Sequence, residues 1–306
     1  MSFVPLWWSS CSDLGFHFMT RFIWVNGAYC PAQSGTILAN DRGFLYGDGL
    51  FETLRVYRGK PFRLSEHLER LNRSARALKI TLPVSQRSFE KAIGRLLQLN
   101  NLLEARLRIS LTRGADSGRF PLRMAEVKYQ PTVVIETTEA PDYQKESASG
   151  GRIIIMPYQR SVESPLYQHK TLNFLENIIA REEAARQKAF EAIFINTRDE
   201  VAEGAMSNVF IVKRGRIYTP PLSANILPGI TRKVIFGLCT AGDIKIRQRS
   251  FTETDLLNAD EVFITGSLME IIPAVRCGDT TFGNGLPGEI TQQLQQEYQR
   301  LVLLTV

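Results

Sequence analysis

The sequence predicts an α+β fold in two parts, and three observations carry that reading. Before residue 140, strand-like runs are interleaved with two amphipathic helical patterns. A polar, Gly/Ser-rich and aperiodic stretch, "APDYQKESASGG" (140–151), then reads as a linker. Beyond it, apolar runs of strand length alternate with helix starts at Asn173, at Pro228-Gly229 and at Gly288. The expected division is an N-terminal extension over 1–20, a small domain over 21–139, the linker over 140–151 and a large domain over 152–306.

The elements follow in order. Residues 22–26 read as a strand that turns at Gly27. "FETLRVYRGKPFRL" (51–64) is a hairpin around Arg58-Gly59-Lys60. "SEHLERLNRSARAL" (65–78) spaces Leu68, Leu71 and Leu78 as one helical face, with Ser65 as its expected N-cap. Residues 85–100 repeat the pattern with Phe89, Ile93, Leu96 and Leu97. Strands are expected at 105–114 and 131–139. After the linker, "RIIIMPY" (152–158) starts the second part. A helix over 173–188 is predicted from Asn173 as cap, Glu176 in capping-box position and an apolar face of Leu175, Ile178 and Ile179. Strands at 191–196 and 208–213, a turn at Arg214-Gly215 and a short strand ending at Pro220-Pro221 come next. "LPGITRKVIFGLCTAG" (227–242) enters a helix, "EVFITGSLMEIIPA" (261–274) is two strands around Thr265-Gly266-Ser267, and a helix over 288–302 closes the chain.

Composition excludes several function classes. Hydrophobic residues are 44% and charged residues 22%, ordinary for a soluble globular protein. No apolar run reaches the roughly 20 residues that span a bilayer. The net charge of +6 is spread along the chain, without the basic stripe or module of a nucleic-acid binder. It suits an anionic ligand or a basic proteome. Cys11, Cys30, Cys239 and Cys277 are scattered and form no CxxC pair, which suits a reducing, cytoplasmic compartment rather than a zinc or disulfide scaffold. His17, His67 and His169 form no HxH or HExxH group, which argues against metal catalysis. The aromatic stretch before Met19 lacks a basic n-region and makes a poor signal peptide. It is expected to be a start-site artefact or a surface extension without chemistry.

Lys170 stands just ahead of the 173–188 helix. A lysine there is commonly a solvated charge, and it can also be an amine aimed into a pocket. Glu203 lies in "EVAEGAMSNVF", between two expected strands. "PGIT" (228–231) opens a helix with a glycine, so its free N–H groups can receive a phosphate. "TGS" (265–267) offers hydroxyls and backbone amides at a turn. Arg70, on the first helix, adds a guanidinium suited to bidentate phosphate contact. Each of these alone has an ordinary structural explanation. Together, an amine, a carboxylate and a phosphate cradle are what pyridoxal 5′-phosphate requires.

These segments also carry a family resemblance. "DRGFLYGDGLFETLRV" (41–56), "HLERLNRSA" (67–75), "HKTLNFLENIIAREEA" (169–184), "EVAEGAMSNVFIVKRG" (200–215), "ILPGITR" (226–232) and "FITGSLMEIIPA" (263–274) resemble, in order and spacing, the class IV, fold-type IV pyridoxal-phosphate enzymes. That group includes branched-chain aminotransferases, D-amino acid aminotransferases and 4-amino-4-deoxychorismate lyases. The resemblance covers residues 21–306. It implies a small N-terminal α/β domain and a larger C-terminal domain with a barrel-like sheet. It also implies a cofactor cleft between them and a homodimer acting on a small-molecule amine, with neither nucleic acid nor membrane as partner. It makes Lys170 the Schiff-base lysine and Glu203 the pyridinium partner. Arg70, Ile230, Thr231 and Ser267 fall at the phosphate-binding positions with Gly266 beside them, and Ser207 and Asn208 lie near the cofactor.

Within that group the chain is most similar to the aminodeoxychorismate lyases, through "YGDGLFETLRV", "KTLNFLEN" and the loop Arg113-Gly114…Gly118-Arg119-Phe120. That likeness implies release of 4-aminobenzoate and pyruvate in folate synthesis, with Arg106 or Arg119 holding a substrate carboxylate. The alternative is an aminotransferase with a branched-chain or D-amino acid donor. D-amino acid aminotransferases carry a tyrosine where Phe51 stands, and an Arg-x-His carboxylate trap that "TRGADSGRFPL" (112–122) lacks. Burying a carboxylate without such donors costs on the order of several kcal/mol. Branched-chain enzymes usually place a glycine where Thr53 stands and a tyrosine where Phe174 stands. The two reactions share their cofactor contacts and diverge after the first proton is removed. That partition is set by substrate placement from loops 43–48, 112–122 and 266–270.

Overall fold

The computed structural model describes residues 21–115 and 129–306. The first part is a six-stranded antiparallel sheet in the order β2-β1-β6-β5-β3-β4. Its strands are β1 (Phe22–Val25), β2 (Ala28–Pro31), β3 (Gly49–Tyr57), β4 (Lys60–Pro61), β5 (Ala105–Thr112) and β6 (Val133–Glu139). Helices α2 (Leu64–Ala77) and α3 (Gln86–Leu99) cover one face, and the short α1 (Arg42–Tyr46) precedes β3. The expected hairpin turns at Arg58-Gly59, where both residues take positive φ, 49° and 77°. This is the primed geometry that matches strand twist, and glycine adopts it without a Cβ clash.

Alternation along β5 divides the sheet into two surfaces. Ala105, Leu107, Ile109 and Leu111 are buried against Leu68, Leu71, Phe89, Ile93 and Leu96 of the helices. Arg106, Arg108 and Ser110 therefore point to the other face, where the register sets them opposite Arg55, Thr53 and Phe51 of β3.

Ser65 is not the cap of α2. The helix begins at Leu64 after Arg63, which turns the chain at φ 56°. The hairpin bond from Phe62 N–H to the Arg55 carbonyl persists to the helix entrance, so the corner falls one residue early and leaves Ser65 in the first turn.

Residues 140–151 contain a short helix, α4 (Gln144–Ser149). It is tied to the last helix of the chain, α8 (Glu289–Thr305), by the Gln295 amide, which donates to the Ser147 carbonyl at 2.9 Å.

The second sheet has nine strands, in the order β12-β11-β10-β13-β14-β7-β8-β9 with β15 against β14, and curls into a half-barrel. These are β7 (Gly151–Arg160), β8 (Glu191–Asn196), β9 (Val201–Gly204), β10 (Asn208–Lys213), β11 (Arg216–Thr219), β12 (Ile246–Gln248), β13 (Glu261–Gly266), β14 (Glu270–Cys277) and β15 (Thr280–Thr281). Helices α5 (Leu175–Arg186), α6 (Ile230–Ala241) and α7 (Glu253–Leu257) complete it with α8. Its interior includes Phe210 and Phe263, stacked at 4.7 Å on neighbouring strands.

The capping box and apolar face expected for 173–188 are both overturned. The helix starts at Leu175, and Phe174 at the cap position offers no side-chain bond. The Asn173 amide donates instead to the Gly47 carbonyl, and Glu176 accepts from Arg160. Leu175, Ile178 and Ile179 are 68%, 50% and 51% exposed, while Ala180 and Ala184 are buried. Small residues let α5 lie close on the sheet, and the large apolar ones face outward.

Strand β9 escaped the sequence reading, because Val-Ala-Glu-Gly has little β-branched or alternating character. Glu203 therefore sits within a buried strand. No described helix is long and apolar enough to cross a membrane.

Candidate active site

A cleft of 370 Å³ runs between the two sheets. It brings together Lys170, Glu203, Arg70, Ser207, Asn208, Ile230, Thr231, Gly266, Ser267 and Arg106 from distant parts of the chain. Arg119 and most of the 112–122 loop lie outside the described residues.

Lys170 follows β7 in sequence, but its backbone is held by the small-domain sheet. The Phe51 N–H donates to the Lys170 carbonyl at 2.8 Å, and the Leu172 N–H donates to the Gly49 carbonyl at 2.9 Å. His169 adds a side-chain bond to Ser74 of α2 at 3.0 Å. The short segment thus behaves as an extra edge on β3 and aims the amine into the cleft. The amine stands 4.6 Å from the centre of the Phe51 ring and 5.8 Å from that of Phe174. The two rings meet edge to face.

Among the described residues the Lys170 amine has no hydrogen-bond partner. Burial and the neighbouring Arg70 bring its pKa down to about 8, against the opposing pull of Glu52 and Glu203. A depressed amine is protonated below that pH and nucleophilic above it. In cofactor-free protein, acylation of Lys170 by acetic anhydride is therefore expected to rise with pH around a midpoint near 8. An ordinary lysine midpoint near 10.5 in the same competitive-labelling experiment would contradict the desolvated site.

Glu203 faces the cleft from β9. It accepts from the Leu227 N–H at 2.9 Å, from Arg160 at 3.3 Å and from the Asn208 amide at 3.4 Å. Burial raises its pKa to about 7, although Arg160 and the Leu227 amide pull it down. A carboxyl so desolvated favours a cationic partner. Asn208 also bonds the Leu227 carbonyl. Gly229 is packed so closely against it that a Cβ there would stand 1.9 Å from the Asn208 Oδ1. Ser207 donates to the buried Glu191, which also receives the Met206 N–H. Ser207 and Glu191 thus brace the turn after Glu203.

Just beyond Leu227, α6 enters the cleft with Ile230 and Thr231 in its first turn and Gly229 as an N-cap that offers no side chain. Free N–H groups at such an end favour an anion. Ser267 and Arg70 stand beside it. The Arg70 fork is already engaged by Glu52, through Nε and Nη2 at 2.8 and 2.7 Å, and Nη1 donates to the Pro228 carbonyl. Bidentate contact is thus spent on positioning the guanidinium, and its remaining N–H donors are left for a ligand.

Several functional side chains were not read from the sequence. Glu52 and His67, 2.7 Å apart, are both buried and orient Arg70. A signal existed, because Glu52 alternates with Leu50, Leu54 and Val56 on the apolar face of β3, and a carboxylate at a core position needs a partner. Arg108 lies 3.9 Å over the Phe51 ring and donates through Nε to Ser110. Among the described residues its terminal nitrogens have no hydrogen-bond partner. Arg160 connects Glu203 to Glu176 over the Phe194 ring at 3.5 Å. A lone arginine at the end of a strand gives no sequence signal.

The family model for amino-transferase class IV matches residues 49–277. This chain belongs to the class IV aminotransferase family. The class IV chain is 34% identical over 279 residues to the D-alanine aminotransferase of Bacillus licheniformis, covering 91% of this chain and 96% of that one. It superposes with a TM-score of 0.84 on the T.th. branched-chain amino acid aminotransferase solved with pyridoxamine 5′-phosphate. That match is 27% identical and covers 92% and 93% of the two chains. A Legionella pneumophila protein named as a candidate 4-amino-4-deoxychorismate lyase matches with a TM-score of 0.80 and 30% identity, over 88% and 96%. The two-sheet α+β architecture of the class IV chain is thus that of the fold-type IV enzymes.

The cofactor of the class IV family is pyridoxal 5′-phosphate, and the class IV cleft has unsatisfied groups that fit it. Among the described residues the Thr265 hydroxyl and Arg160 Nη2 are buried without a hydrogen-bond partner, and both residues line the cleft. When bound, the cofactor supplies a carbonyl for amine exchange and a ring that accepts electrons. Lys170 would hold the carbonyl carbon and Glu203 the ring nitrogen, while the α6 entrance, Ser267 and Arg70 would hold the phosphate.

Proposed function

We propose that this class IV enzyme is an aminotransferase that moves an amino group between a carboxylate-bearing amino acid and a 2-oxo acid. Arg108 is the observation that carries the reading. Its guanidinium covers the same Phe51 ring as the Lys170 amine, Arg108 lines the cleft, and among the described residues its terminal nitrogens have no hydrogen-bond partner. Burial and the adjacent Arg106 lower its pKa, partly offset by Glu136, so a substrate carboxylate there gains a charge-assisted contact. Arg106 is already paired with Glu136 at 3.6 Å, which makes Arg108 the better anchor. With the cofactor bound, Lys170 would take the proton from the substrate carbon and deliver it to the carbon of the cofactor's carbonyl group. The Phe51 and Phe174 rings keep water from the amine between those steps.

Aminodeoxychorismate lyase is the second reading. Thr53 on the cleft wall and the likeness to the Legionella protein favour it. Product analysis separates the two. The cofactor-loaded enzyme receives either aminodeoxychorismate, made in situ by the upstream synthase, or leucine, D-alanine and glutamate with 2-oxoglutarate or pyruvate as acceptor. Transamination without 4-aminobenzoate is the expected result, and 4-aminobenzoate with negligible transamination would replace this reading by the lyase. Arg108→Leu is expected to raise KM for the preferred substrate by about 10- to 100-fold, the value of a hydrogen bond to a charged group. An unchanged KM would remove Arg108 from the substrate site.

The same reading includes a homodimer. Phe44 and Leu45 of α1 are 75% and 45% exposed, as the apolar residues of α5 are, and the Asn173–Gly47 bond joins the residue that follows α1 to the segment that leads into α5. Large exposed apolar side chains in number favour burial against a second copy. Light scattering is expected to give twice the 34.6 kDa chain mass. A monomer at micromolar concentration would count against the pairing.

A further inference from the structure

A second chamber of 1120 Å³ lies next to the cleft. Tyr143, Leu268 and Met269 line both spaces, so these side chains form a partition. The small-domain sheet has the same boundary. Going along β3 on the cleft face, Phe51 pairs with Ser110, Thr53 with Arg108 and Arg55 with Arg106. Same-face residues of a strand are about 7 Å apart. The first rung carries the ring beside the Lys170 amine, and the second carries Arg108. At the third, Arg106 lines the cleft and Arg55 lines the chamber. Moving away from the lysine thus leads past Arg108 to the partition.

The turn that carries the partition is fixed at both ends. Gly266 and Glu270 close it as a register pair between β13 and β14. Glu270 takes a left-handed φ of 58°, a conformation that a non-glycine residue keeps where its surroundings enforce it. The enforcement is visible. Glu270 accepts from the Tyr57 hydroxyl of β3 at 2.5 Å and from the Gln299 amide of α8. Met269 is buried in the large-domain core, whereas Leu268 is only half-buried and separates the two spaces.

We propose that Leu268, backed by Met269 and Tyr143, is the wall that limits the length of the substrate chain, and that shortening it lengthens the cleft on that side, up to a chamber whose own lining, with Arg55, Glu104, Asp142 and Gln299, is polar. This rests on the reading of the cleft as a carboxylate site anchored at Arg108. Tyr57 and Glu270 are positioning residues that hold the wall.

The test uses straight-chain saturated monocarboxylates, from butanoate to decanoate, titrated calorimetrically into the cofactor-loaded enzyme, so it needs no turnover. Affinity is expected to rise by about fourfold for each methylene buried and then break where the chain meets Leu268. Leu268→Ala is expected to move the break to a longer acid, and Leu268→Phe to a shorter one. Cofactor absorbance and melting temperature confirm that each variant is folded and loaded. A break at the same chain length in all three proteins, or no break in the unaltered enzyme, overturns the wall while leaving the carboxylate anchor standing. No carboxylate binding at all, in enzyme that has taken up cofactor, overturns the anchor and the wall together.

Discussion

Replacing Lys170 by alanine is expected to lower turnover by about 10⁴-fold, the upper range for a positioned proton-transfer group. Among the described residues no second amine lines the cleft, so no neighbour can take over the role. The variant also loses the nucleophile that exchanges with an incoming amine. Turnover with the best substrate, and rescue by added small primary amines, are the measurements. Rescue is expected, because truncation opens space between Phe51 and Phe174 where a small amine fits. Turnover within tenfold of the unaltered enzyme would move the catalytic amine elsewhere.

Replacing Glu52 by leucine is expected to destabilise the protein by about 3–5 kcal/mol, because removing one member of a buried ionic cluster leaves the others uncompensated. Arg70 and His67 would then sit in the small-domain interior without their carboxylate. Burial opposes the Glu52 charge, but Arg70 and His67 more than offset it and hold its pKa at about 2, below the ordinary 4.5. A depressed carboxyl contributes stability that is fully present above pH 4.5 and is lost as the pH falls from there toward 2. The gap between the unaltered and Glu52→Leu proteins in urea denaturation should therefore narrow below pH 4.5. A companion variant, Glu52→Leu with Arg70→Met, should recover much of the stability but not the cofactor affinity. Equal cofactor affinity in that double variant would show that Arg70 holds no phosphate.

Lys170 and Glu203 shift the other way. The amine is lowered to about 8 and the carboxyl raised to about 7, so burial disfavours the charged form of each. Glu203 costs the folded state stability as the pH rises from 4.5 to 7, and Lys170 costs it as the pH falls from 10.5 to 8. One carboxylate is stabilised by its ionic partners and the other is costly to charge, the contrast expected between a structural ion cluster and a candidate functional site.

Much of this architecture was legible in the sequence. The β3–β4 hairpin, α3 and the Gly229 entrance to α6 each announced themselves through period, turn residues or an N-terminal signal. Lys170, Glu203 and the candidate phosphate cradle could be nominated because their order and spacing carry a family pattern, and the fold brings them to one cleft. What failed was local inference where tertiary contacts outcompete propensity. Asn173 looked like a cap, but the Gly47 carbonyl claims its amide. Leu175, Ile178 and Ile179 looked like a core face, but the alanines of α5 fit against the sheet. Arg108 and Arg160 gave no local signal, because an arginine on a strand owes its role to what the fold places opposite it.

The anchoring of Lys170 to β3 has a mechanical consequence. The amine is carried by one half of the molecule and the carboxylate that faces it by the other. The working gap between them is therefore a joint dimension, determined by how the halves seat rather than by either sheet alone. Substitutions at the seam, such as at Tyr57 or Gln299, can detune the chemistry without touching a reacting atom. Lys170 belongs in sequence to the later half, yet its backbone is bonded to the earlier one. The covalent order of this protein and its mechanical order are therefore different things.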